Sequence, residues 1–403
     1  MVTAPKNRLP GTVYLLALCQ ALMMSSNTLM VTAAALVGFS LAEDKTLSTL
    51  PLALQFLATM LTTIPAALLL ARIGRKMGFM LATLLSMGGG ALAVAAIQAH
   101  AFWWFCGAAV LLGMFNAFGT YYRFAAADIV TGEDKARAVS LVMVGGVIAA
   151  IVGPNLANLG QGLIDGARFA GSFTFVIGMG LMSMLILSFT HYTGHNIEHP
   201  AEAGRRLTRI AAQPRFVVAV LCAMLGYAVM SFLMTATPLA MDHHHHQFSD
   251  TAFVIQWHVL GMFAPSFVTG RLIKRFGVER ILWTGSLLYA GTVAINLVGS
   301  SFWHFWTALV LLGIGWNFLF IGGTTLLTET YRPEERAKTQ ALNDFLVFSA
   351  TTLASLSAGA MQHAFGWWWV NVGVIPLVLA IVASLGWLGR RGASGEPSLG
   401  IGD

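Results

Sequence analysis

Apolar runs of about 20 residues alternate with short polar stretches along the whole chain. Runs of this length predict membrane-spanning helices, because ~20 helical residues cross the ~30 Å hydrocarbon core of a bilayer. The chain therefore predicts an all-α integral membrane protein with twelve transmembrane helices. The predicted spans are 12–38, 47–71, 79–98, 102–124, 139–161, 170–190, 215–241, 251–271, 281–299, 302–327, 339–362 and 367–389.

Composition agrees with a membrane protein: 57% of the residues are hydrophobic and 10% are charged, and the mean hydropathy is +0.72. The net charge of +6 does not indicate a nucleic-acid partner, because the basic residues are spread through short loops. Cys19, Cys106 and Cys222 lie in apolar runs without Cys-x-x-Cys spacing, so no disulfide framework is predicted.

The basic residues predict the orientation in the membrane. With the N-terminus in the cytoplasm, every one of the 23 Lys and Arg residues except Lys45 and Arg168 falls in a cytoplasmic loop or tail. Such an excess is the usual mark of the cytoplasmic side. We therefore expect both termini to lie in the cytoplasm. No cleavable signal peptide is evident.

The chain repeats itself at an offset near 200 residues. The segment 71–78 after the second span matches 270–277 after the eighth, Asn116 answers Asn317, and 133–137 answers 334–338. A parallel repeat of six-helix halves indicates alternating access around a site near the middle of the membrane. The predicted domains are 1–190, a cytoplasmic linker at 191–214, and 215–403.

These features together resemble the major facilitator superfamily of transporters. The resemblance rests on the two six-helix halves and on the basic loops Arg72–Gly78 and Arg271–Gly277, with Gly153-Pro154 in the fifth span adding to it. It implies the major facilitator fold and a transporter, not an enzyme. The loop after the second span departs from the superfamily pattern, because the usual acidic residue before its basic cluster is missing.

Two residue pairs indicate a soft-metal site. Met230 and Met234 lie four apart in the seventh span, and His258 and Met262 lie four apart in the eighth. Residues four apart share one helix face. Measured from the outer ends of the spans, the four side chains form two layers ~10 Å and ~16 Å deep. Thioethers and an imidazole favour Cu(I), and a histidine near mid-membrane predicts function.

Other interpretations of these residues stay open. The chain has 19 Met residues, and Met at helical spacing usually fills gaps in a core. All 17 acidic residues lie in loops or near span ends, including Asp128 and Asp344, so a mid-depth proton carrier is not predicted. Arg123 is the deepest basic residue and a candidate for contact with an anionic substrate. Snorkelling of its side chain to the surface explains its position equally well. Asn and Gln residues in the spans either line a polar cavity or join helices.

The resemblance extends to the CcoA-type copper importers, on Met-x-x-x-Met and His-x-x-x-Met in these two spans. It implies Met230, Met234, His258 and Met262 as copper ligands, with copper as the transported substrate and no resident cofactor. It also implies a location in the bacterial inner membrane, supply of copper for cbb3-type cytochrome c oxidase, a cytoplasmic copper chaperone as partner, and a role for Cys222. We expect a monomer in the lipid bilayer.

The loop between the two spans holds Asp242 and four histidines, His243, His244, His245 and His246. Adjacent imidazoles beside a carboxylate favour capture of a borderline ion such as Cu(II) or Zn(II), and a mobile loop without function is the alternative. For the whole protein, two further functions stay open. One is a facilitator for a small organic solute such as a vitamin or a metal chelate, and the other is a copper sensor or assembly factor.

Overall fold

The computed structural model describes residues 9–130, 134–190 and 204–393. It contains fifteen α-helices in these ranges, numbered α1 to α15 in chain order. The first half holds Gly11–Leu41, Leu50–Ile73, Arg75–Gln98, Phe102–Gly119, Tyr122–Asp128, Asp134–Met143, Gly145–Gly160 and Ala170–Ser188. The remainder holds Leu207–Ala211, Pro214–His243, Phe248–Phe263, Ser266–Phe276, Val278–Val298, Phe302–Thr328 and Arg336–Ala393.

These helices confirm the predicted all-α membrane fold. Ten of them, some with a short neighbouring helix, are long and apolar enough to cross a membrane, and α11 with α12 makes an eleventh span. Helix α15 crosses twice, because Gly366 at φ 80° and ψ 177° divides it into two arms. Only glycine adopts this backbone conformation without strain. The break falls between the two last predicted spans.

Three predicted spans are interrupted in the structure. The span predicted at 251–271 bends by 43° between α11 and α12, where Pro265 has no N–H to continue the hydrogen-bond ladder. The span at 102–124 consists of α4 and α5, and the span at 139–161 consists of α6 and α7. Hydrophobic length alone does not report such interruptions, because the apolar run continues through them.

Helices α1 and α10 occupy the centre of the molecule. In the apolar windows of these two helices, 78% and 72% of the residues are buried, the largest shares among the described spans. Both are apolar on all sides, as expected for helices surrounded by other helices. Helix α1 packs on α7 and α8, whereas α10 packs on α14 and α15. The two halves contact each other mainly where α7 packs on α11 and where α2 packs on α15.

Ion pairs fix the ends of the helices on the side predicted to be cytoplasmic. Arg75 pairs with Asp128 in the first half, and Arg215 pairs with Glu329 in the second. Asp128 thus supplies the acidic partner that the loop after the second span lacks. Arg205 holds the fully buried Glu335 in a two-pronged pair, with Nε and Nη2 donating at 2.9 and 2.7 Å.

Candidate functional site

The two predicted methionines of α10 lie inside the protein. Met230 and Met234 are buried, with 6% and 7% of their surfaces exposed. Both belong to the hydrophobic core of the second half, which also contains Met262. The structure therefore places all three thioethers in the same apolar core. Membership of this large core does not by itself bring their sulfur atoms to one point, and the four-ligand metal site stays a prediction.

His258 is fully buried on α11. Its Nδ1 lies 2.8 Å from the carbonyl oxygen of Leu309 on α14. A carbonyl only accepts hydrogen bonds, so Nδ1 carries the proton and donates. Nε2 is then an unprotonated acceptor, and it has no partner among the described residues. An orphaned acceptor in a protein core is costly, and it is typical of a group that meets a ligand or a water molecule.

Helix α11 packs mainly against α14 and α7, and only slightly against α10. The packing with α14 is very close, because a Cβ on Gly313 would lie 2.3 Å from the carbonyl oxygen of His258. Asn317 of α14 also donates to the carbonyl of Met262 at 2.7 Å. His258 and Met262 on α11 are thus held mainly against α14. The sequence predicts that they pair directly with Met230 and Met234 of α10, but α10 and α11 share only a small contact.

The histidine loop is described by its contacts, and metal capture there stays a prediction. Within the part of the chain that the structure describes, no three His, Cys, Asp or Glu side chains lie close enough to share an ion. His246 instead hydrogen-bonds the Ser300 carbonyl at 2.9 Å, and the ring of His243 faces that of His244 at 5.6 Å. Cys222 of α10 is fully buried and lies against Ser384 of α15.

Polar side chains of the first half converge on α1. Asn27 accepts hydrogen bonds from Gln55 of α2 at 2.7 Å and from Asn116 of α4 at 3.0 Å. A second amide contact crosses between the halves, where Asn155 of α7 donates to Gln256 of α11 at 2.6 Å. These amides join helices, which is one of the two uses expected for them.

A charged pair faces the space between the halves. Arg123 on α5 and Asp344 on α15 are both exposed and interact electrostatically across the interface. Tyr227 of α10 lies near both. Since the two interacting residues lie on opposite halves, the pair marks the boundary between the halves, which is called the cleft below. From the sequence, Asp344 was placed near the membrane edge and snorkelling was one explanation of Arg123. The interaction between these two residues was therefore not predicted. Asp344 within an otherwise apolar run was the available signal.

An aromatic cluster forms the wall beside this pair. Tyr227 packs edge-on against Trp316 and Phe320 of α14, with ring centroids 5.0 and 5.3 Å apart. Trp316 and Phe320 are stacked at 5.0 Å, and Phe263 of α11 adds a fourth ring at 6.1 Å from Trp316. The indole N–H of Trp316 is buried without a hydrogen-bond partner in the described residues. The cluster offers flat apolar surface on the half-buried rings of Tyr227, Phe263 and Phe320.

The cleft is closed at the end away from the chain termini. There Thr49 of the first half donates to the Leu356 carbonyl at 3.3 Å and accepts from the Gly359 amide at 3.1 Å. The rings of Phe169 and Phe248 meet at 4.7 Å. Arg123 and Asp344, nearer the opposite end, remain exposed. Contact at one end and exposed charges nearer the other fit one of the two states that alternating access requires.

Comparisons with known proteins agree with this architecture. The model of the Major Facilitator Superfamily matches residues 16–265 and 219–402. Two solved structures share the fold at low identity. One is a bacterial homologue of the human lysosomal transporter Spinster, inward-facing and occupied, with a TM-score of 0.70, 18% identity and coverage of 94% and 96% of the two chains. The other is a D-xylose–proton symporter, with a TM-score of 0.75, 12% identity and coverage of 93% and 96%.

Two curated relatives cover most of the chain. The riboflavin transporter RfnT of Brucella anthropi is 42% identical over 95% of this chain and 97% of its own length. The uncharacterized MFS-type transporter YdeG of Bacillus subtilis is 29% identical over 82% and 80%. The chain therefore belongs to the Major Facilitator Superfamily, and it is a transporter and not an enzyme. The resemblance to CcoA-type copper importers is not confirmed, since these relatives are named for riboflavin or for no substrate.

Proposed function

We propose that this protein carries a small organic solute with a flat aromatic ring system across the membrane, and that riboflavin is its first candidate substrate. The two halves rock around the central helices α1 and α10, exposing the cleft to one side at a time. The supporting observation is the pairing of a flat aromatic wall with a charged pair in one cleft, together with 42% identity to a riboflavin transporter over 95% of the chain.

The chemistry of the cleft suits such a solute. A flat heteroaromatic ring stacks on aromatic side chains, and each such contact contributes about 0.5–1.5 kcal/mol beyond the area buried. Tyr227, Phe263 and Phe320 are half-buried, so their rings keep surface that a ligand can reach. Pockets for organic ligands are mostly apolar with a few placed polar groups. We place the protein in a bacterial inner membrane with both termini in the cytoplasm, as the basic loops predict.

The test uses a riboflavin-auxotrophic bacterial strain that lacks its own importer. Cells that express the chain should grow at riboflavin concentrations too low for the empty-vector strain and should accumulate [³H]riboflavin. Phe320→Leu, at a half-buried ring of the cluster, should reduce the initial uptake rate at low substrate about tenfold, which corresponds to the loss of ~1.4 kcal/mol of binding. Trp303→Leu is the matched control, since Trp303 is 67% exposed and lies outside the aromatic cluster. Equal uptake by both variants would argue against the aromatic wall.

Copper import is the second candidate, and one observation favours it: the Nε2 atom of His258 is buried, unprotonated and unpartnered. In this scheme Met230, Met234, His258 and Met262 bind Cu(I), and the ion passes towards Cys222 and a cytoplasmic chaperone. Neutral imidazole and thioethers suit that ion. X-ray absorption of the copper-loaded protein would then report sulfur and nitrogen neighbours.

Cells that express His258→Ala or Met234→Ala would lose ⁶⁴Cu accumulation if copper is the cargo. Met241→Ala is the matched control, because Met241 is a fully buried methionine on the same helix, α10, outside the two motifs. If copper is not the cargo, ⁶⁴Cu accumulation by the wild type will not exceed that of the empty vector. The same cells then show [³H]riboflavin uptake that is unaffected by added copper.

A further inference from the structure

The connection between α1 and α2 lies against α15 of the other half. Ser48 and Thr49, which directly precede α2, are fully buried although they belong to this connection. Connecting segments usually lie on the surface, because their backbone groups need water or other partners. Here the second half covers them, and the α2–α15 contact is one of the two main contacts between the halves.

One hydroxyl of this connection bonds two backbone groups of α15. The Oγ1 atom of Thr49 donates to the carbonyl oxygen of Leu356 at 3.3 Å and accepts from the amide of Gly359 at 3.1 Å. The two residues are three positions apart, so they share one side of the helix. Because both partners are backbone groups, the contact depends on the position of the helix itself and not on a mobile side chain.

Gly359 permits this approach because it has no side chain. A Cβ at this position would lie 2.5 Å from the Oγ atom of Ser48 and 2.7 Å from the Oγ1 atom of Thr49. Non-bonded heavy atoms pack well only at about 3.5–4.0 Å. On its own half, the connection is equally close to Gly38 of α1, whose Cβ would lie 2.0 Å from the carbonyl oxygen of Ser48. Glycines of both halves therefore hold the connection, and it has no room to move aside.

The other main contact between the halves, where α7 packs on α11, is made differently. Asn155 donates to Gln256 at 2.6 Å through an exposed hydrogen bond. A hydrogen bond in water contributes less than one that is shielded from it. The rings of Phe169 and Phe248 add an apolar contact without hydrogen bonds between them. The directional, buried contact between the halves is thus the one at Thr49.

We propose that Thr49 and Gly359 form a latch that keeps the cleft shut at the end away from the termini, with Thr49 supplying the hydrogen bonds and Gly359 the space. Opening of this end separates α2 from α15 and breaks both hydrogen bonds together. The latch therefore sets the balance between the two states of the transport cycle. This role follows from the contact between the halves and holds for any cargo.

Pulsed electron paramagnetic resonance between two spin labels measures this balance. The labels are attached at Asp165→Cys and Ala364→Cys, exposed positions at this end of the first and the second half, in the full-length protein in lipid nanodiscs. The three native cysteines are buried and thus shielded from the label. The wild type should give mainly a short distance, and opening of this end adds a longer one.

Thr49→Val keeps the shape of the side chain and removes the hydroxyl, so it should raise the ratio of open to closed molecules about fivefold, as expected for lost hydrogen bonds. Gly359→Ala should raise this ratio about tenfold or more, because the added methyl group overpacks the contact. The matched controls are Thr63→Val, whose hydroxyl bonds the Thr59 carbonyl of the same helix α2, and Gly386→Ala, which has open space on α15. Neither control should change the ratio.

A wild-type distance distribution in Gly359→Ala would overturn the proposal, and Thr49→Val decides alone if Gly359→Ala does not fold. Shifts of equal size in Thr63→Val or Gly386→Ala would also overturn it, since they would show a general loosening of the helices. Gln256→Ala should shift the ratio less than Thr49→Val does. A larger shift in Gln256→Ala would contradict the latch at Thr49 and place the controlling contact between α7 and α11.

Discussion

The two halves of the protein use equivalent amides in different ways. Asn116 of the first half reaches the central helix α1 and donates to Asn27. Asn317 of the second half donates to the Met262 carbonyl and the Ser266 hydroxyl, both at 2.7 Å, at the bend between α11 and α12. Asn116 thus joins two helices. Asn317 instead donates to a backbone carbonyl at the bend, where Pro265 interrupts the hydrogen bonds of the helix.

Close helix packing is what the halves share. Gly113 of α4 and Gly313 of α14 occupy matching positions, and a Cβ on either would lie 2.3 Å from a backbone oxygen of the neighbouring helix, that of Gln55 or of His258. The scaffold of the repeat is therefore retained where backbones touch. The side chains facing the centre differ, with amides in the first half and aromatic rings, His258 and methionines in the second. The repeat preserves the close packing, and the two halves differ in the polar and aromatic side chains that they carry.

The largest expected effect tests the shared scaffold. Gly113→Ala and Gly313→Ala should both destabilise the protein by 3 kcal/mol or more, at or beyond the upper end of the ~1–3 kcal/mol range for overpacking, because a backbone carbonyl cannot move aside as a side chain can. Melting temperatures in detergent should fall for both variants. Gly88→Ala is the control, since its nearest neighbour would be 4.0 Å away. A large drop for only one glycine would show that the halves do not pack alike.

The second prediction concerns the linker. In the contacts described, Arg205 of the linker pairs with residues of the second half. Hydrogen bonds from Arg205, above all, lower the pKa of Glu335 from 4.5 to about 2. A carboxylate with a lowered folded pKa stabilises the protein above its unfolded pKa, and the contribution is lost as the pH falls towards the folded value. Glu335→Gln should therefore cost roughly 2–4 kcal/mol at pH 7.

The pH dependence separates this charge effect from packing. The difference in melting temperature between wild type and Glu335→Gln should be constant above about pH 5. It should then narrow as the pH falls from 4.5 towards 2, since protonation of wild-type Glu335 removes the same charge. Asp134→Asn, which removes an exposed partner of Arg137, is the control and should leave the melting curve nearly unchanged. A difference that is independent of pH would contradict the ion-pair explanation.

The third prediction separates the two amides. Asn317→Ala should cost about 1–2 kcal/mol of stability, because it leaves the bend at Pro265 with unpaired polar groups. Asn116→Ala should cost about 0.5–1 kcal/mol, the usual size for one hydrogen bond between membrane helices. Thermal unfolding of both variants checks the order. A greater loss for Asn116→Ala would mean that the first half depends more on its amide network than the single hydrogen bond from Asn116 to Asn27 suggests.

The smallest effect is expected in the histidine loop. Burial above all, with the charges of the neighbouring imidazoles, lowers the pKa of His244, so this ring is mostly neutral at pH 7. Replacing His243 to His246 with serine should change stability by no more than about 0.5 kcal/mol and leave riboflavin uptake unchanged. Loss of ⁶⁴Cu accumulation in this variant would instead assign the loop to metal capture.

Much of the fold followed from the sequence, because hydrophobic length is a local property. The twelve spans, the turn near Gly366 and the two equivalent halves were all predicted from apolar runs, basic loops and a repeat. The breaks between α4 and α5 at 120–121 and between α11 and α12 at 264–265 were not predicted, because the hydrophobic runs continue through both. For the same reason, periodicity could not show which faces of α1 and α10 point to the centre.

The candidate site was less predictable. Residues four apart on one helix, such as Met230 and Met234, are visible in a sequence, and their joint binding of copper remains a prediction. Arg123, Tyr227 and Asp344 are each more than 100 residues from the next, and only the packing of α5, α10 and α15 brings them together. Snorkelling was an adequate explanation of Arg123 from the sequence, so its place at the boundary between the halves was not predicted.

The most direct test of the central claim, that this transporter carries a flat organic solute, is a paired flux measurement in proteoliposomes of the purified protein. One set receives [³H]riboflavin with unlabelled riboflavin inside, and the other receives ⁶⁴Cu(I). We expect riboflavin counterflow that exceeds the protein content many times over, while copper stays at or below one ion per protein. Continuous filling of the lumen with copper and no riboflavin counterflow would contradict the account.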